Sequence, residues 1–254
     1  MMVRTSDPLR KRPWVTGPRE LLQHGFEHLR SDTDFDRRIA FISIDNAVEL
    51  ALKTFFSLPK RVTGIAITRK QFEPMSMNFP QLLKALEEYA SDRLVGIELA
   101  DLEWYHRLRN RIYYAGCGLT VERENVEGYA EVARILYENL FDDPFESIAK
   151  IGRRTTSAEF IHKWAVLENA LWSVAEKAGF ASAKKSWRLM ETINWLHKQN
   201  LISNRFLESF KSVRESRTKI IQKPDVNQIQ NNITKLDKLL AEMNILLNKI
   251  SCKT

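Results

Sequence analysis

Two arginines, Arg109 and Arg217, each fall within an apolar helical stripe. An arginine in a packed face must find a carboxylate, a phosphate or water. The first stripe reads Leu102, Tyr105, Arg109, Ile112, and the second Phe206, Phe210, Val213, Arg217, Ile220. Steps of three and four residues put each set on one side of a helix. Two acids occupy comparable stripes: Glu49 among Ile42, Asp45, Leu52 and Phe56, and Glu168 among Ile161, Trp164, Leu171 and Ala175. The simplest way to satisfy all four polar residues is to pair Glu49 with Arg109 and Glu168 with Arg217 as structural ion pairs. His106 lies three residues before Arg109 on roughly the same face, so its imidazole could reach the guanidinium's surroundings. Its neighbours Trp104 and Arg107 make a partly exposed position the plainer expectation.

The remaining chemistry-bearing residues assemble into little. His24 and His28 stand at i, i+4, a spacing that two-ligand metal sites use, but no third ligand follows nearby. His162 reads as a surface residue, and His197 joins no cluster. Cys117 and Cys252 are the only cysteines, which gives neither a disulfide framework nor a zinc site. No glycine-rich phosphate loop or nucleophile elbow is present. Trp164, Trp172, Trp187 and Trp195 stand at helical spacing, which suits a core better than a base-stacking surface. No metal and no cofactor are therefore expected.

The elements that must position these residues are helices. With nine glycines and eight prolines in 254 residues and a dominant period near 3.6, the pattern is that of an all-α protein. At 44% hydrophobic residues the chain can bury a core over most of its length. Residues 1–16 read as a flexible basic tail. Helices are expected at about 18–30, 34–57, 79–92, 98–114 and 122–141. A short helix should open at the "DPFE" of 143–146 and end at Gly152, as Gly116 and Gly118 end the one before them. Residues 58–78 look irregular, with "RVTGIAITR" a short hairpin or a loop. Thr156 and Glu159 form a capping box that opens a helix running to about 178 and stopping at Gly179, with further helices at 185–199, 203–221 and 226–250. No apolar run is long enough to span a bilayer, and the basic N-terminus has no apolar stretch behind it, so a cytoplasmic protein without a membrane partner is the expectation.

The two halves repeat. "FISIDNAVELAL" (41–52) matches "FIHKWAVLENAL" (160–171) at a constant offset of 119, as 41 to 160 and 49 to 168. Between the arginines the offset is 217 − 109 = 108, so the second copy has a connection shorter by 11 residues. A repeat of this length implies two helical units rather than a solenoid. The boundary is drawn in "GRRTTS" (152–157), with units at 17–152 and 156–254.

The segment "RLRNRIYYAGCGLTVERENVEGYAE" (107–131), following a long helix with a buried-looking acid, resembles HEPN domains, small helical bundles of toxin and phage-defence proteins. Their signature is an Arg followed after four to six residues by His, often as R-N-x-x-x-H. "VRESRTKIIQKPD" (213–225) resembles the same signature. The resemblance spans roughly 34–142 and 157–250. It implies tandem HEPN-like bundles and, for active members, a metal-independent ribonuclease in which the His takes a proton from a ribose 2′-hydroxyl and the Arg binds the phosphate.

At the histidine position this chain departs from that pattern. Tyr114 stands there in the first copy and Gln222 in the second. An ordinary tyrosine, with a pKa of about 10, is a poor base at neutral pH, and an amide is none. The resemblance therefore implies a non-catalytic interaction module with no appreciable ribonuclease activity. The alternatives are an active ribonuclease using Arg109, Tyr114 and His106, or a structural subunit of a larger assembly. Charge suggests the partner. Residues 181–223 hold ten basic residues, among them Lys184, Lys185, Arg188, Arg205, Lys211, Arg214 and Lys219, against three acids, so this stretch alone carries the net +7 of the chain. Such a stretch suits RNA or an acidic protein partner, in a homodimer or a hetero-complex.

Overall fold

The computed structural model describes residues 12–114, 120–145, 156–180 and 189–251. Among these residues the structure is helical, with no strand, as the 3.6-residue period requires. The helices are α1 (Thr16–Ser31), α2 (Asp34–Ser57), α3 (Lys60–Thr63), α4 (Arg69–Met75), α5 (Phe79–Tyr89), α6 (Leu99–Tyr114), α7 (Arg123–Phe141), α8 (Thr156–Lys177), α9 (Leu189–Lys198), α10 (Asn204–Gln222) and α11 (Val226–Ser251). No helix among the described residues is long and apolar enough to cross a membrane.

Local chemistry sets most boundaries. The Thr33 hydroxyl accepts from the Asp36 amide at the start of α2, and Asp34 and Asp36 face the positive end of that helix. Residues 58–78 fold into the two short helices α3 and α4 rather than a hairpin. Thr68 and Gln71 there form a full capping box, a signal that outweighs the weak alternation of 61–69. Order also begins earlier than expected. Val15 is fully buried, and the Arg12 guanidinium donates to the Phe141 carbonyl at 2.7 Å, so residues 12–16 do not belong to the expected tail, whose residues 1–11 lie outside the described residues.

The expected capping box of Thr156 and Glu159 is replaced by a partner from another helix. Glu124 on α7 accepts from the Thr156 hydroxyl at 3.1 Å and the Ser157 amide at 2.8 Å, while Glu159 pairs with Lys163 at 3.1 Å. A carboxylate beside the first amides of α8 serves the same electrostatic need as a local cap. In "DPFE", Asp143 accepts from Arg19 and from the Tyr137 hydroxyl, and Pro144 and Phe145 are not helical. Glu146, Gly152, Gly116, Gly118, Cys117 and Cys252 lie outside the described residues.

In the first half α2 packs on α1, α7 and α6, and in the second α8 packs on α11 and α9. Each half thus follows the order long helix, shorter helices, long helix. The buried residues form one cluster from Val15 to Met243 that crosses the expected boundary at 152–157, because α7 lies on α8 and α10 touches both α6 and α7. The halves approach closely at Gly96, where φ is +80° and an added Cβ would stand 2.4 Å from that of Ala165 on α8. Only a glycine allows both that backbone and that distance.

Candidate functional site

Three helices converge on one buried carboxylate in the first half. Asp45, on α2, is fully buried. Tyr129 of α7 donates its hydroxyl to Asp45 Oδ1 at 2.7 Å, and His106 Nδ1 of α6 lies 3.0 Å from Oδ2. Arg109, one turn further along α6, places Nε 3.4 Å from the same Oδ2. Its Nη2 donates to Asn46 at 2.8 Å and its Nη1 to Asn110 at 3.0 Å. Phe79, at the start of α5, stacks on the His106 ring at 4.1 Å, and the Arg109 guanidinium sits 5.3 Å from the Tyr113 ring centre.

The chemistry follows from these contacts. Burial, then the Asp45 charge, raise the Tyr129 pKa well above its ordinary 10, so its hydroxyl stays a donor. For His106 Nδ1 to donate to Asp45, a neutral ring must carry its proton there, leaving a lone pair on Nε2. Among the described residues no protein group takes that Nε2. A carboxylate that fixes the imidazole tautomer is how proteins orient a histidine base. Arg109 has five N–H donors; two are used, and its side chain is 17% exposed. The cluster can therefore offer, three residues apart on one helix face, a guanidinium to an anion and an oriented imidazole acceptor to a neighbouring hydroxyl.

Several expected pairings differ. Glu49 is not the partner of Arg109; it pairs with Lys53 at 2.6 Å, and Asp45, one turn earlier on the same face, takes the arginine. Arg217 is fully buried, but its ion-pair partner is Asp101 of α6, with Glu98 3.8 Å away. Glu168 is buried beside this pair, near the Gly96 amide and the Trp172 indole. Burial pushes its pKa up to about 7 and that of Asp101 up to about 6, with Arg217 pulling both back only in part. Arg217 also stands 5.8 Å from the Trp164 ring, so the tryptophan packs in the core as its spacing suggested. His106 is partly exposed, as its neighbours suggested, with 16% of its side chain accessible, and it is also hydrogen-bonded into the cluster.

Only part of the basic stretch at 181–223 falls among the described residues. Lys184, Lys185 and Arg188 lie outside the described residues. Arg205, Arg214 and Lys219 are exposed on α10, and Lys211 pairs with Glu208 at 3.0 Å. Lys211 and Arg214 line a groove of about 390 Å³ together with Glu98, Glu215, Met190 and Thr218, so two acids face two bases there. Tyr114 and Gln222, at the motif's histidine positions, are both exposed. His162 is not a plain surface residue, because its Nδ1 lies 3.0 Å from the buried Glu131. His24 and His28 contact Ser43 and Asp36. Among the described residues no group of three His, Cys, Asp or Glu is placed to hold a metal.

Sequence reasoning missed Asp45 and Asn46 as site residues. The signal was present, since an Asp inside "FISIDNAVELAL" needs a donor as much as Glu49 does. Compared with protein-family models, with curated proteins and with solved structures, the chain matches none.

Proposed function

We propose that this chain is a HEPN-like RNA-binding module built from two degenerate copies of one helical unit, working in a cytoplasmic toxin–antitoxin or phage-defence setting. RNA is held chiefly at the α6 face, where Arg109 takes a backbone phosphate and His106 faces the adjoining ribose. One observation carries this reading: Arg109 and His106 are both braced by the buried Asp45, and the hydrogen bonds they make among the described residues leave terminal N–H groups of Arg109 and the Nε2 of His106 unused. The α10 groove, with its matched charges, is the weaker anion site. The test is fluorescence anisotropy of a labelled RNA across a salt series. Affinity should fall steeply with salt, and Arg109→Gln should weaken binding roughly tenfold or more, the scale of a charge-assisted hydrogen bond. Lys211→Glu with Arg214→Glu should change it less than Arg109→Gln does. Salt-independent binding, or loss only in the α10 double variant, would overturn the assignment.

A second reading, metal-independent cleavage, is favoured by the Asp45–His106 hydrogen bond, which supplies the oriented base missing at Tyr114 and Gln222. Cleavage in EDTA that is abolished by His106→Ala would establish it. Cleavage unaffected by His106→Ala, or none at all, would leave a binding module.

A further inference from the structure

We infer that the end of α6 is a stacking platform for an unpaired base, so that the RNA taken by this face is single-stranded. The inference rests on Arg109 as the phosphate site and adds what lies beside it. Tyr113 is 59% exposed and Tyr114 77%, two adjacent aromatic rings left in solvent on a helix whose other aromatic rings pack inward. At about 100° per residue, Tyr113 falls about 40° around the helix from Arg109 and about 20° from His106. Phosphate donor, oriented imidazole and exposed ring therefore share one face. The Arg109 guanidinium covers part of the Tyr113 ring at 5.3 Å, and the two tyrosines meet edge to face at 5.2 Å. Tyr114 continues the surface toward Arg107 and Arg111, both exposed.

Aromatic rings interleaved with arginines are the chemistry of single-strand recognition: cations follow the phosphates and each base lays its π-face on a ring. A duplex cannot use such a platform, because its bases are already stacked inside the helix. An acidic peptide would use the arginines and leave the rings without an occupant.

Three probes test this on the full chain by fluorescence anisotropy: a 12-nucleotide oligouridylate, an abasic ribose-phosphate strand of equal length, and a blunt-ended RNA duplex without a loop. The oligouridylate should bind roughly five- to a hundredfold more tightly than either of the others. Tyr113→Ala should lower its affinity to the abasic level and leave abasic binding unchanged, while Tyr113→Phe should retain most of it. Tyrosine fluorescence should be quenched by oligouridylate and not by the abasic strand. Equal, Arg109-dependent binding of all three probes would overturn the platform and leave the phosphate site standing. Binding of none would overturn both. Polyglutamate competing with Arg109 dependence and no Tyr113 dependence would give the face to an acidic protein, and the platform would fall.

Discussion

Asp45 Oδ2 lies 3.0 Å from His106 Nδ1, and the same fully buried carboxylate receives the Tyr129 hydroxyl and faces the Arg109 guanidinium. One acid from α2 thus satisfies groups from α6 and α7, which fixes the register of three helices at the candidate site. Asp45→Ala would leave a phenol and an imidazole without their acceptor and the Arg109 guanidinium without its counter-charge. Such losses cost about 3–5 kcal/mol for a buried pair. Urea denaturation should show that cost, with Asp45→Asn costing less because its amide oxygen still accepts. An Asp45→Ala chain as stable as the parent would mean the cluster bears no structural load.

Arg217 and Asp101 join the two halves in the same manner, 116 positions apart in the sequence. Asp101→Ala alone should destabilise by about 3–5 kcal/mol, since it strands a buried guanidinium. Asp101→Leu combined with Arg217→Met should cost clearly less than the sum of the single changes, because neither charge is then left unpaired. Additive single effects in that cycle would show that the pair does not interact.

Glu168 and Asp101 give stability a definite pH dependence. Their ordinary values are 4.5 and 3.8, and burial raises them to about 7 and about 6. Between these limits the folded chain holds protons that the unfolded chain has released. The stability they contribute is full below about pH 4 and is lost as pH rises through 4.5 to 7. The Gly96 amide, Arg217 and the Trp172 indole face Glu168 and reduce this rise without cancelling it, while the Glu98 carboxylate adds to it. Glu168→Gln should flatten the decline, which thermal melts from pH 5 to pH 8 would record. An unchanged slope would place the titration elsewhere.

Gly96 and Gly64 form an internal comparison. Both have positive φ, +80° and +78°, but an added Cβ at Gly96 meets Ala165 at 2.4 Å, whereas at Gly64 nothing lies within 4 Å. Gly64→Ala should cost only backbone strain, about 1–2 kcal/mol. Gly96→Ala should add an overpacking term of about 1–3 kcal/mol, because the Cα of Ala165, 2.8 Å away, belongs to a backbone that cannot rotate aside. Equal costs by denaturation would show that the contact with α8 is soft.

Tyr114→His restores R-N-x-x-x-H at 109–114. Metal-free RNA cleavage should rise by one or more orders of magnitude over the parent, within the roughly hundred- to ten-thousand-fold that a general base supplies. No rise in EDTA would indicate that the exposed position of Tyr114 cannot bring a base to the ribose 2′-hydroxyl.

By itself the sequence determined the long helices and the need of two arginines for partners, though not the short helices α3 and α4. The 3.6-residue period places α2 at residues 34–57 and makes Arg109 and Arg217 residues that need partners, because side-chain direction along a helix follows from backbone geometry alone. Only the tertiary structure decided which partners they take. Asp45 and Glu49 lie one turn apart on the same face, so periodicity cannot tell which of them meets α6. Asp101 was passed over for Arg217 because it sits in the other half of the chain, and the packing of α10 on α6 that brings them together has no local signature. The Glu124 cap on α8 and the bracing of His106 by Asp45 belong to the same class: contacts between helices, set by how their faces dock and not by the spacing within either one.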